Sequence, residues 1–135
     1  LLKKPAAIEI VRTTRSFYIM SLEAFLQTIR TGTPVSFQDT IAVIAEHYVY
    51  QPTELSNGLD QPVISQPGQN EGSCKIFAFA QIHHLSVSET LSLFGDYYRI
   101  DVLQHPDATD HQNIRRFMQD GWAGIVFQGK ALVAK

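Results

Sequence analysis

The stretch 68–80, GQNEGSCKIFAFA, decides the fold. A polar start gives way to an apolar run in which Cys74, Phe77 and Ala78 share one helical face, continued by Gln81. Ile76, Phe79, Ala80 and Ile82 cover most of the remaining circumference. A helix that is apolar nearly all round leaves no face for water, so the helix expected from about Asn70 to His84 belongs at the centre of the core.

Upstream, the segment 48–67, YVYQPTELSNGLDQPVISQP, breaks helical rhythm. Tyr48-Val49-Tyr50 favours extended chain, Asn57-Gly58 is a turn signal, and Pro52 and Pro62 restrict pairing to short or edge pieces. A small irregular hairpin is expected there. Two short amphipathic helices precede it. Ser21 caps the first, with Leu22, Phe25, Leu26 and Ile29 on one face and Gly32 as its stop. The second begins near Ser36, carries Asp39 in its first turn, and lines up Phe37, Ile41, Ile44 and Tyr48.

Downstream, Ser86 and Glu89 form a capping box for a helix through Leu91, Phe94 and Tyr98, which Gly95 weakens. Residues 104–108, QHPDA, read as a loop. Thr109 and Gln112 form a second capping box, and Trp122 is placed to fold back on Phe117 behind Gly121. The segment 124–133, GIVFQGKALV, reads as two short strands about Gln128-Gly129. Helices, a hairpin, more helices and a second hairpin amount to α+β. The expected fold is one mainly helical domain of about five helices, with a small antiparallel sheet built from the two hairpin regions. Residues 1–19 are read as a non-native or disordered N-terminal extension, with Met20 as the natural start and 20–135 as the domain.

Bulk composition narrows the function. The 135 residues are 44% hydrophobic and 18% charged, an ordinary globular balance that one core can satisfy. Net charge is −2 and no run of Lys or Arg exceeds two, so phosphate backbones find no dense positive surface and nucleic acid is not an expected partner. No apolar stretch approaches the ~20 residues that span a bilayer, and no membrane partner is expected. A single cysteine forms no internal disulfide and gives no sign of an oxidising compartment.

Four blocks carry a resemblance: GQNEGSCKIFAFAQIH (68–83), LFGDYYRIDVL (93–103), TDHQNIRRFMQDGWAGIVFQGKAL (109–132) and YVYQPTELSNG (48–58). In that combination the chain resembles the HopJ type III effector protein family, from about Met20 to Lys135. The family name comes from a protein that a plant pathogen injects into host cells. The resemblance implies a bacterial protein with no established reaction, cofactor or ligand. The location expected is the cytoplasm, or a host cell if the effector name applies, where the partner would be a host protein.

The residues themselves offer candidate chemistry. Cys74 sits in the first turns of its helix, where free N–H groups and the helix dipole favour a thiolate. His111, flanked by Asp110 and Asn113, could serve as its base, with His83 and His47 as competitors. Against this, cysteine is among the most buried residue types, and Cys74 lies beside Phe77 and Ala78. The helix start Asn70, Glu71, Gly72, Ser73 could receive an acceptor group, although Glu71 brings negative charge and an ordinary helix cap explains the same residues. His105, Asp107, Asp110 and His111 crowd potential ligands into seven positions, but no H-E-x-x-H, C-x-x-C or H-x-H pattern is present and no metal site is expected. Tyr97, Tyr98, Arg99 and Asp101 with Arg115 and Trp122 are either a recognition cluster or the polar margin of the core.

The expectation is therefore a protein that acts by binding a ligand or a protein partner, with no cofactor. Its binding residues would come from Asn70, Glu71, Ser73, Lys75, Asn113 and Arg115, where the starts of the two helices meet. The alternative is a cysteine-dependent hydrolase or transferase with Cys74 as nucleophile and His111 as base.

Overall fold

The structure, a computed structural model, describes residues 10–12 and 18–135. Strands β1 (Ile10–Arg12) and β2 (Tyr18–Met20) pair antiparallel, and β2 leads into α1 (Leu22–Arg30). The expectation of a disordered extension falls otherwise on residues 1–9 and 13–17, outside the described residues. Ser21 accepts from the Ala24 N–H at the start of α1. Ser36 and Asp39 cap α2 (Phe37–His47) reciprocally, satisfying two N–H groups the helix itself cannot.

The central helix α3 (Glu71–Ile82) buries Cys74 and every residue from Ile76 to Ala80. Two aromatic clusters meet on it. Phe77 packs against Phe94 at 5.6 Å, Phe117 at 4.8 Å and Trp122 at 6.4 Å between ring centroids. On the other side Phe79 meets Phe25 and Tyr48, each at 6.0 Å. Burying each such ring contributes roughly 2 kcal/mol before packing geometry is counted. This single core confirms the α+β domain expected from the sequence.

The strands combine differently from two separate hairpins. β3 (Tyr48–Tyr50) pairs with β7 (Leu132–Ala134), and β4 (Leu55–Asn57) lies between β5 (Val63–Ser65) and β6 (Ile125–Phe127), all antiparallel. Of these pairings, only β4–β5 joins consecutive strands. β6 and β7 do not fold on each other; both run back along 48–57 in one register, interrupted at 51–54. Pro52 lies in that interruption, where a residue without an N–H cannot continue the ladder. Bonds from Gln51 N–H to the Ala131 carbonyl and from Gln128 N–H to that of Glu54 bridge it. Asn57 is not a turn residue either: it ends β4, wholly buried, and the connection begins at Gly58.

Beyond α3, Ser86 and Glu89 form the expected capping box of α4 (Val87–Ser92). The helix then breaks. Gly95 adopts φ +61°, and an added Cβ there would lie 2.6 Å from the backbone N of Phe37. The chain resumes as a π-helical turn, Tyr97–Val102. This geometry is rare and often accompanies functional positions, because its wider turn re-aims side chains. Helix α5 (Gln112–Asp120) follows, then a 3₁₀ turn, Gly121–Gly124, in which Trp122 packs edge-on against Phe117 at 5.0 Å. The Thr109–Gln112 capping box does not form. α5 starts later, after a left-handed His111, and the Gln112 amide donates to the Thr109 carbonyl instead.

Candidate functional site

The start of α3, the start of α5 and the π-helical turn converge on one small cavity. It has a volume of about 170 Å³ and is lined by Asn70, Gly72 and Ser73 of α3, Phe37 of α2, Phe94 and Tyr97, and His111 and Ile114 of α5. Its walls are aromatic. Tyr97 meets Phe37 edge-on at 5.0 Å and lies against the His111 imidazole at 5.1 Å with the planes 37° apart. Gly72 is there because space is short: a Cβ would stand 2.8 Å from Phe37 Cζ.

Phe37 and Tyr97 also form one side of a second, larger depression of about 420 Å³. It runs past Pro34–Gln38, Asp96 and Arg99. Arg99 is anchored across it, donating to the Val35 carbonyl at 2.7 Å, and it pairs with Asp96 at 3.6 Å. The π-helical turn instead carries Asp101 toward His111, 2.9 Å from its Nε2.

Of the candidate residues singled out in the sequence, the structure brings Asn70, Gly72, Ser73, Tyr97 and His111 together on the cavity. Asn70 gives no side-chain cap to α3; its amide donates to Ser65 Oγ at 2.9 Å. Glu71 is exposed at the helix start. Lys75, Asn113 and Arg115 are not among the lining residues. Lys75 Nζ sits 4.9 Å above the Tyr50 ring, a cation–π contact.

Asn113 is buried and accepts the Asn57 amide on both its backbone and side-chain oxygens, at 2.9 and 3.0 Å. The Arg115 guanidinium is fully committed. It donates to the carbonyls of Asp101, His105, Pro106 and Asp110 and, at 2.7 Å, to Asp110 Oδ1. That contact with Arg115 holds the Asp110 carboxyl below the usual range. Arg115 thus fastens the loop ahead of α5 and fixes where His111 stands.

Cys74 is not among the lining residues, and it is wholly buried. Burial pushes its thiol up to about 11, with the Glu71 carboxylate adding to the effect. Its Sγ donates to the Gln69 carbonyl at 3.7 Å. A nucleophilic thiol needs access, a base and a depressed pKa. The surroundings of Cys74 supply no support for that mechanism, and His111 is engaged with Asp101 and Tyr97. Of the competing histidines, His83 Nε2 lies 2.6 Å from the Tyr48 hydroxyl, and burial lowers its pKa.

The roles of Phe37 and Asp101 are less legible in the sequence. Phe37 reads as an ordinary apolar position of α2, and Asp101 as one member of a polar cluster that is either a recognition site or the margin of the core. Neither can be placed until the break at Gly95 and the π-helical turn are known.

Among the described residues no helix is long and apolar enough to cross a membrane. No curated protein matches the chain. A solved structure described as the crystal structure of unknown function protein VPA0580 is similar, with 43% sequence identity and a TM-score of 0.82. The match covers 87% of this chain and 96% of that one. The family model described as HopJ type III effector protein matches residues 22–132, which include every residue lining the cavity, and the chain belongs to that family.

Proposed function

We propose that this protein acts by binding a protein partner. One partner side chain enters the cavity beside His111, and the flanking residues lie along the groove past Pro34–Gln38. The observation that carries this reading is the shared wall: Phe37 and Tyr97 separate a small cavity from a longer open depression. A volume near 170 Å³ is too small for most drug-sized ligands, which occupy ~300–1,000 Å³, but a cavity of ~150 Å³ accepts a benzene ring. An anchor side chain in a pocket with a chain running away from it is how many interfaces concentrate their binding energy.

The chemistry of the cavity specifies the anchor further. The Cys74 N–H already reaches the Asn70 carbonyl, so the acceptor-seeking groups of the α3 start are the N–H groups of its first residues and the Ser73 hydroxyl. Glu71 disfavours a carboxylate there. A planar side chain bearing a neutral acceptor satisfies both conditions, an aromatic or amide group. The family description, type III effector, supports a protein as the partner and a host cell as its place.

The test is selection from a random peptide library, followed by fluorescence anisotropy. Selected peptides should share an aromatic or amide anchor and should lose at least about tenfold in affinity against Tyr97→Ala. Leu103→Ser, on another face, should bind them unchanged. Peptides that bind both variants equally would refute the proposal.

A further inference from the structure

We propose that Asp101, Asp110 and His111 form a binding site for a divalent transition-metal ion. One ligand atom from each residue lies within 4.8 Å of the other two. His111 Nε2 is 2.9 Å from Asp101 Oδ2 and 3.7 Å from Asp110 Oδ2. An ion bound at ~2.1 Å to each of three tetrahedral ligands separates the donor atoms by about 3.4 Å. The two distances bracket that value and the two carboxylates come within 4.8 Å of each other, so side-chain rotation can close the set around an ion.

The donor set is one imidazole and two carboxylates, which suits zinc and its first-row neighbours better than the all-oxygen cations. The structure prepares each ligand. The Asp110 carboxylate divides its oxygens: Oδ1 accepts from Arg115, while Oδ2 faces His111. This is the outer hydrogen bond that orients a metal-ligating carboxylate elsewhere. The Tyr97 ring lies against the imidazole and restricts its plane. Asp101 comes from the π-helical turn, and His111 takes left-handed backbone at φ +51° immediately before α5. With one Arg115 cation against two carboxylates, the cluster keeps a net negative charge that a divalent ion would neutralise.

Three protein ligands leave a tetrahedral ion one open position. The side chains of Asp101 and Asp110 are 42% and 54% exposed, so water or a donor atom from a ligand can fill it. The sequence concealed this site because Asp101 lies ten positions from His111, outside the crowded segment 105–111, and no short motif spans that distance. The cluster shares only His111 with the neighbouring cavity, and Asp101 and Asp110 lie outside the cavity lining.

The test is equilibrium dialysis of the untagged chain against Zn²⁺, with Co²⁺ absorption as a second readout. One equivalent should bind, and Co²⁺ should show the visible bands of a nitrogen–oxygen site. Asp101→Asn, which preserves shape, and His111→Ala should each weaken binding by at least about tenfold. His105→Ala, which alters an exposed histidine outside the cluster, should leave binding unchanged. Circular dichroism confirms that each variant is folded. Absence of stoichiometric binding to the parent chain overturns the proposal, and so does equal binding by folded Asp101→Asn.

Discussion

Arg115 and Asp110 are joined by two contacts: Nε donates to the Asp110 carbonyl at 2.6 Å, and a terminal nitrogen donates to its carboxylate at 2.7 Å. The same guanidinium reaches the carbonyls of Asp101, His105 and Pro106, so one side chain ties down the loop that delivers His111. Lysine keeps the charge but not the planar fork. Arg115→Lys should therefore cost about 1–3 kcal/mol in chemical denaturation and speed amide exchange over residues 104–110. Unchanged exchange there would show that the loop is held by something else.

Cys74 provides a prediction in alkali. Its pKa rises from 9.0 to about 11 on folding, so between those values the unfolded chain has lost the proton that the folded chain keeps. Stability is therefore full below pH 9 and declines as pH rises toward 11. Cys74→Ala should remove this contribution to the decline, lower stability at neutral pH by about 1 kcal/mol, and leave peptide binding intact. In the native parent chain, alkylation of the thiol should be slow at pH 8 and fast only after unfolding. Rapid native alkylation would restore the thiol mechanism.

Asn57 and Asn113 join β4 to α5 within the core, and Asn70 and Ser65 extend the same polar chain toward α3. Removing one member leaves buried partners unsatisfied. Asn113→Ala should destabilise by about 2–3 kcal/mol, and the Asn57→Ala/Asn113→Ala cycle should show coupling above about 0.5 kcal/mol. Additive effects would mean that the two amides act separately.

Gly95→Ala should be among the costliest single-methyl changes. It imposes a side chain on left-handed backbone and drives a Cβ to 2.6 Å from Phe37 N, a backbone atom that cannot step aside. A loss exceeding about 2 kcal/mol is expected by thermal or chemical unfolding. Gly72→Ala should cost less, because its Cβ meets the outer end of the Phe37 ring, but it should narrow the cavity and weaken peptide binding.

The core was legible because α3 is apolar around its circumference and caps such as Ser21 and Ser86–Glu89 are local chemistry. Strand partners were not, since β6 and β7 each find a mate some seventy or more positions upstream, a choice that only tertiary packing makes. The candidate site was half legible for the same reason. Asn70, Ser73 and His111 lie at helix starts that sequence can mark, as does Phe37 behind Ser36, whereas Tyr97 and Asp101 arrive through the break at Gly95 and the π-helical turn. Lys75, Asn113 and Arg115 carry the right chemistry for binding, but the fold spends it internally on Tyr50, Asn57 and the 101–110 loop.

The most direct measurement is a ¹H–¹⁵N correlation map of the labelled chain titrated with its best selected peptide. The shared cavity and groove predict that the largest shifts fall on Val35, Gly72, Ser73, Tyr97, Arg99 and His111. Shifts concentrated instead on Leu103, Met118 and Gln119, which line a separate depression with Val102, would contradict the account.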